Sequence, residues 1–175
     1  MKRSRGMRWA AIAAMVLTLA TTSGCGDSPE IATDPDAASE GTTTTDDSGL
    51  PKPAPAFAAH FTDPIYEEVS NDLTPFGSDE GWDMLAIWDE RRGELSPDST
   101  VADVLEDDPA EFLATNELDD AVAVQSAGFT LLRLTGHIDE AGRQATLQAL
   151  AQLQAIDGES SELKRQVQDL TSWTE

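Results

Sequence analysis

From residue 63 onward, apolar side chains in this chain recur at intervals of three and four, and each run of them ends at a capping residue, a glycine or a proline. That punctuation constrains the fold more than any other feature. No alternating apolar and polar stretch of useful length interrupts it, and nothing repeats at a fixed period. The spacing predicts an all-α fold, a small single-domain bundle of five to six helices over residues 57–175. The chain has one cysteine among its 175 residues, which rules out an intrachain disulfide. The core alone must hold such a bundle together.

The helices can be placed by their ends. Asp63-Pro64 supplies a cap and a first-turn proline for a helix through Ser70, with Ile65 and Val69 paired at i, i+4. Ser78 has an N-cap's chemistry, and Asp79 and Glu80 sit where the helix dipole favours negative charge, which predicts a helix over 79–92 stopped by Gly93. Its apolar face comprises Trp82, Leu85, Ala86, Ile87 and Trp88. The two indoles, six residues apart and offset by about 120°, belong to the core by default; the alternative is that one stands exposed as a protein-binding anchor. Val101, Val104 and Leu105 mark a short helix, and Asp108-Pro109 opens another through Leu113. Asn116 caps the predicted central helix, in which Leu118, Val122, Phe129 and Leu132 line one face as far as Thr135. Gly136 ends it. Asp139 starts a helix carrying Leu147, Leu150 and Leu153, and Ser160 or Ser161 caps a last one with Leu163, Val167 and Leu170, after which Trp173 packs back or frays.

The N-terminal residues carry a different message. Residues 1–8 are basic, 9–20 are apolar, and Thr21-Thr22-Ser23-Gly24 precedes the lone Cys25. That is the layout of a secretory signal. An apolar run of that length reaches about 18 Å as a helix, too short for a hydrocarbon core of roughly 30 Å. The ending resembles the lipobox of bacterial lipoproteins, departing from it at Thr22, where an aliphatic residue is usual. The resemblance implies a signal peptide over residues 1–24, lipidation of Cys25 and a lipid-anchored protein on the extracytoplasmic side of the cell or outer membrane.

Residues 25–56 are rich in Asp, Thr, Pro, Ala and Gly, with Pro51, Pro53 and Pro55 alternating. They read as a disordered acidic linker that holds the domain off the membrane. The formal charge of the whole chain is −22, and four of its 11 cations lie in residues 1–8. From Gly26 on, seven cations face 33 acids, a charge of −26. Such a surface repels nucleic acid and anionic headgroups and attracts basic proteins.

Few residues point to chemistry. Asp79, Glu80 and Asp83, with Asp63 or Asp72, offer oxygens for calcium, but no Asp-x-Asp-x-Asp-Gly loop occurs, and helix N-terminal acids that complement the dipole are the simpler reading. His60 and His137 are the only imidazoles. No His-x-x-x-His, Cys-x-x-Cys or Gly-x-Ser-x-Gly pattern accompanies them, and His137 beside Gly136 suits a helix C-terminus. Carboxylates are plentiful enough that a glycosidase-like dyad stays open, though spacing selects none.

The segment Thr74-Pro75-Phe76-Gly77-Ser78-Asp79-Glu80-Gly81-Trp82-Asp83, together with Gly136-His137-Ile138-Asp139-Glu140, resembles the uncharacterised bacterial YfeS-like family. The resemblance implies a small helical fold and adds no catalytic residue. The reading that results is a non-catalytic, lipid-anchored envelope module that binds a basic protein. Asp79, Glu80, Trp82, Asp83 and Trp88 form its binding surface, with no cofactor and no metal. An acid-dyad hydrolase of envelope polymers and a calcium-responsive protein are the alternatives.

Overall fold

The computed structural model describes residues 49–174. The signal segment, Cys25 and the linker as far as residue 48 lie outside the described residues. Within them the chain is all-α, with no β-strand. Its helices are α1 (Pro55–His60), α2 (Asp79–Glu90), α3 (Val101–Leu105), α4 (Pro109–Leu113), α5 (Leu118–Thr135), α6 (Glu140–Asp157) and α7 (Ser161–Ser172), with 3-10 turns at Pro64–Tyr66 and Arg92–Glu94. Seven α-helices stand where five to six were expected.

Local chemistry fixes most of the helix starts. The Ser78 hydroxyl accepts from the Gly81 amide at 3.0 Å, and Ser160 accepts from Leu163 at 3.0 Å. Thr100 and Asp103 form a reciprocal capping box at the head of α3. Asp139 does two jobs: one carboxylate oxygen caps α6 through the Gly142 amide (2.9 Å), while the other accepts from the Val101 amide (3.0 Å) and so docks α3 onto α6. Gly136, at φ 75°, closes α5 by donating to the Leu132 carbonyl. Asn116 is not the cap of α5. It takes a left-handed conformation (φ 54°), Glu117 occupies the cap position, and Thr115 accepts the Glu117 amide while donating to Asp120.

α5 is the predicted central helix, with 12 of its 18 residues buried. Two close approaches set its neighbours. A Cβ at Gly128 would come within 3.0 Å of three Thr146 atoms, so α6 lies directly against it; a Cβ at Gly81 would meet the Pro75 carbonyl at 2.5 Å and the Ser126 hydroxyl at 2.9 Å, so α2 packs with comparable intimacy. Phe76 is wholly buried and Ser126 donates to the Pro75 carbonyl. The Pro-Phe-Gly-Ser turn therefore seats α2 on α5. Deeper in, Gln125 donates to Gln166 and Gln166 donates to the Leu73 carbonyl, a buried polar chain that ties α5, α7 and the turn before α2.

The domain begins earlier than the composition suggests. Leu50 is fully buried, the Ala54 amide donates to the Arg133 carbonyl (2.7 Å), and α1 places Phe57 in the core. Residues 50–56, read from composition as linker, are thus part of the fold. What draws them in is Arg133, a wholly buried side chain near the end of α5. Its guanidinium donates to the Pro51 carbonyl (2.8 Å), to the Tyr66 carbonyl (3.1 Å) and to both Glu67 carboxylate oxygens (2.8 and 2.9 Å). The rings of Phe57 and Phe76 lie 5.6 and 5.5 Å from it. The same bonds explain why Asp63-Pro64 starts only a 3-10 turn. With the Tyr66 carbonyl and the Glu67 carboxylate committed to Arg133, the helix expected through Ser70 does not propagate, and Val69 is left exposed.

Candidate functional site

The two indoles of α2 have different fates. Trp88 is buried, and its N–H donates to the Val104 carbonyl at 2.8 Å. It anchors α3 and is not part of a binding surface. Trp82 is 39% exposed. Gly81, Leu85 and Trp88 face the core, which turns Trp82 about 100° to the flank and sends Asp79 and Asp83 outward. Glu80 is also exposed, on the opposite flank from Trp82. Of the five residues read as a surface, Asp79, Glu80, Trp82 and Asp83 are exposed on one helix, with Glu80 and Trp82 on opposite flanks, and Trp88 is removed from the set.

The electrostatics of this face follow from where the cations go. Seven Lys and Arg lie among the described residues. Arg91 and Arg92 pair with Glu94, Glu106 and Asp89; Arg133 pairs with Glu67; Arg143, Lys164 and Arg165 pair with Glu140, Glu159, Asp63 and Asp169. Lys52 alone among them has no ion pair. No described cation is paired with Asp79, Glu80 or Asp83. The i, i+4 neighbours Asp79 and Asp83 repel each other across one turn, and the dipole of α2 offsets part of that at Asp79, in its first turn.

Two other constellations can be judged from geometry. His60 and Ser172 approach to 3.5 Å, the kind of contact a nucleophile and its base make. Here, however, His60 Nε2 lies 2.8 Å from the Asp169 carbonyl, and the Ser172 hydroxyl donates to that same oxygen at 3.1 Å. The carbonyl takes Nε2 as a donor, so that nitrogen is no base for the hydroxyl. Beside them Tyr66, fully buried, donates to the Asp169 carboxylate at 2.9 Å. Burial first, then the Asp169 charge, push its phenol well above the ordinary tyrosine range. The His60 ring meets Trp173 edge-on and Phe61 stacks on Trp173, so the last indole packs back and α7 is locked onto α1. This cluster is a latch.

His137 lines a shallow, open depression of about 240 Å³ with Asp139, Glu140, Arg143 and Trp173. Its acids have structural work. Asp139 caps α6 and docks α3, and Glu140 is held below the usual carboxylate range by hydrogen bonds from Gln144 and then Arg143. Among the described residues no group of three or more His, Cys, Asp or Glu is arranged to hold a metal ion. No described helix is long and apolar enough to cross a membrane.

Sequence reasoning found the acidic face because its signal is local. It missed the Arg133 clamp and the Tyr66–Asp169 latch, whose partners lie 66 to 103 residues apart in the chain. A single arginine within the apolar run Phe-Thr-Leu-Leu-Arg-Leu was the one available hint.

The chain is similar to the uncharacterized protein YfeS of Escherichia coli (strain K12), 29% identical over 149 aligned positions, with 68% of this chain and 61% of that relative covered. It thus spans about three fifths of the relative's length. The similarity supports a YfeS-like domain. No family model and no solved structure matches the chain.

Proposed function

We propose that this protein is a non-catalytic bacterial lipoprotein, anchored through Cys25 on the extracytoplasmic side of a membrane, that binds a basic protein through the outer face of α2. The observation that carries the reading is the exposed Trp82 indole on the same helix that exposes Asp79, Glu80 and Asp83, whose carboxylates no described cation neutralises. An amphipathic aromatic within reach of uncompensated charge is the composition of a binding hot spot. With residues 50–56 packed on the domain, the tether in this reading covers residues 26–49. Strong negative charge favours basic proteins over nucleic acid and anionic lipid as partners.

The test has two arms. Metabolic labelling with a fatty acid followed by mass spectrometry should find the chain beginning at a lipidated Cys25 in the membrane fraction; an unmodified Cys25 in soluble protein refutes the anchor. Capture of envelope proteins at rising ionic strength should recover a basic partner that is lost steeply with salt, and more readily from an Asp79→Asn, Asp83→Asn variant. A partner retained equally by that variant would place the interaction elsewhere on the molecule.

A further inference from the structure

Residues 50–56 lie on the domain as a strap whose shape is written into its own sequence. Pro51 and Pro53 fix their own φ, and Pro51, Pro53 and Pro55 each push the residue before them, Leu50, Lys52 and Ala54, into the extended region. Ala54 sits there, at φ −60° and ψ 147°, before α1 begins. A segment preset in this polyproline geometry keeps its form off the domain as well as on it, and so loses little entropy when it binds.

The surface beneath the strap grips its backbone. The Pro51 carbonyl accepts from Arg133 Nε at 2.8 Å, the Lys52 carbonyl accepts from the Arg92 guanidinium at 2.6 Å, and the Ala54 amide donates to the Arg133 carbonyl at 2.7 Å. Side chains are asked for little. Leu50 fills a fully buried position. A Cβ at Gly136 would come within 3.1 Å of the Ala56 methyl and 3.2 Å of the Ala54 methyl, so the floor there suits small residues. Lys52 and Pro55 are exposed. Main-chain bonds for affinity with a few side-chain pockets for specificity are how extended peptides are recognised.

The groove has supports of its own. Arg133 is also held by the Tyr66 carbonyl and both Glu67 carboxylate oxygens, Arg92 lies 3.6 Å from Asp89, and Gly136 is fixed as the C-cap of α5. Phe57, fully buried, secures α1 independently of the residues before it.

From this we infer that Arg92, Arg133 and Gly136 form a binding groove for an extended, proline-rich segment of another polypeptide, and that residues 50–56 occupy it as an intramolecular ligand. The segment it takes has an aliphatic residue followed by proline, with alanine-sized residues four and six places after the aliphatic one, the pattern of Leu50, Pro51, Ala54 and Ala56. Partner binding and strap release are then a single exchange. The tethered strap competes at an effective concentration of about 1 mM, so the wild-type chain holds its partner weakly until the strap lifts. None of these residues belongs to the outer face of α2, and the groove stands independently of the proposed function.

The probe is a dye-labelled peptide of residues 49–56, titrated against the full chain and followed by fluorescence anisotropy. Leu50→Asp puts a charge where the strap is buried and leaves the groove residues intact; this variant should bind the peptide about 10- to 100-fold more tightly than wild type, the lost burial of Leu50 expressed as affinity. Leu50→Ala should fall between the two, and it carries the test if circular dichroism shows the aspartate variant unfolded. Adding Arg92→Ala to either variant should weaken binding about tenfold, the loss of one charge-assisted hydrogen bond. A peptide carrying Ala54→Leu, or one with its three prolines replaced by alanine, should bind less well than the native peptide. Absence of binding to both Leu50 variants at about 1 mM peptide, equal binding of a scrambled peptide, or equal affinity for wild type and both variants overturns the inference and leaves the reading of α2 untouched.

Discussion

Replacing Arg133 by methionine tests the keystone of the domain. Methionine keeps the apolar stem and most of the volume, so the change isolates the guanidinium. Two carbonyls, those of Pro51 and Tyr66, lose their donor inside the protein. Orphaned buried acceptors cost about 1–3 kcal/mol each. The Glu67 side chain is 40% exposed and can turn to water, so its loss adds little. Against this, the unfolded chain no longer has to desolvate a guanidinium on folding, which offsets part of the cost. The balance is about 3 kcal/mol, a large fraction of the 5–15 kcal/mol that holds a domain of this size together, and about 10 °C in Tm.

Urea unfolding followed by circular dichroism should show the midpoint falling with the slope unchanged. A second perturbation separates the clamp from a general loss of packing. A chain starting at residue 57 lacks Leu50 and the Pro51 carbonyl, and it should lose about 1.5–3 kcal/mol from Leu50 alone relative to one starting at residue 49. In the shorter chain Arg133→Met should cost much less than in the longer one, because the two changes remove the same contacts. If Arg133→Met lies within 1 kcal/mol of wild type, or if the two losses simply add, the guanidinium is not what holds the strap and the reasoning is wrong.

Further outcomes follow from the same structure. Tyr66 is the chain's one tyrosine, so phenolate absorbance reports on it alone. Its folded pKa lies above its unfolded value near 10, so its contribution is intact below pH 10 and fades as pH rises beyond it, by about 1.4 kcal/mol per unit. Phenolate should appear only with unfolding, and Tyr66→Phe should flatten the alkaline limb; phenolate forming in folded protein refutes the buried bond to Asp169. At the acid end the carboxylates of Glu68, Asp103 and Glu140 are held low by hydrogen bonds from Ser70, Thr100 and Gln144, so stability is lost as pH falls through their depressed values. Asp83→Lys turns a repulsive i, i+4 pair into an attractive one and should raise stability by about 0.5–1 kcal/mol while weakening capture of a basic partner. Trp82→Phe should remove the red-shifted emission most quenched by neutral acrylamide; an unchanged quenching curve would mean that Trp82 is not the exposed indole.

What the sequence discloses here divides by range. Ser78, Asp139, Ser160 and Gly136 are legible because a cap acts on amides or carbonyls within four residues, and the acids of α2 are legible for the same reason. The choice between Trp82 and Trp88 is not, since a face wide enough to hold both leaves the axis free to rotate; what fixes it is Gly81, where the absence of a side chain lets α2 press on Ser126. α1 is hidden by composition, because Pro and Ala before Phe57 look like linker until Arg133, some 80 residues later, supplies the acceptor and donors that order them. Arg133 and Arg91 then share a logic that composition conceals. In a chain so short of cations, both are laid against aromatic rings and bonded to glutamates, Arg133 to fasten the strap and Arg91 to close α2 onto α3. With its described arginines committed to internal bonds, the protein leaves Asp79 and Asp83 without an ion pair among the described residues.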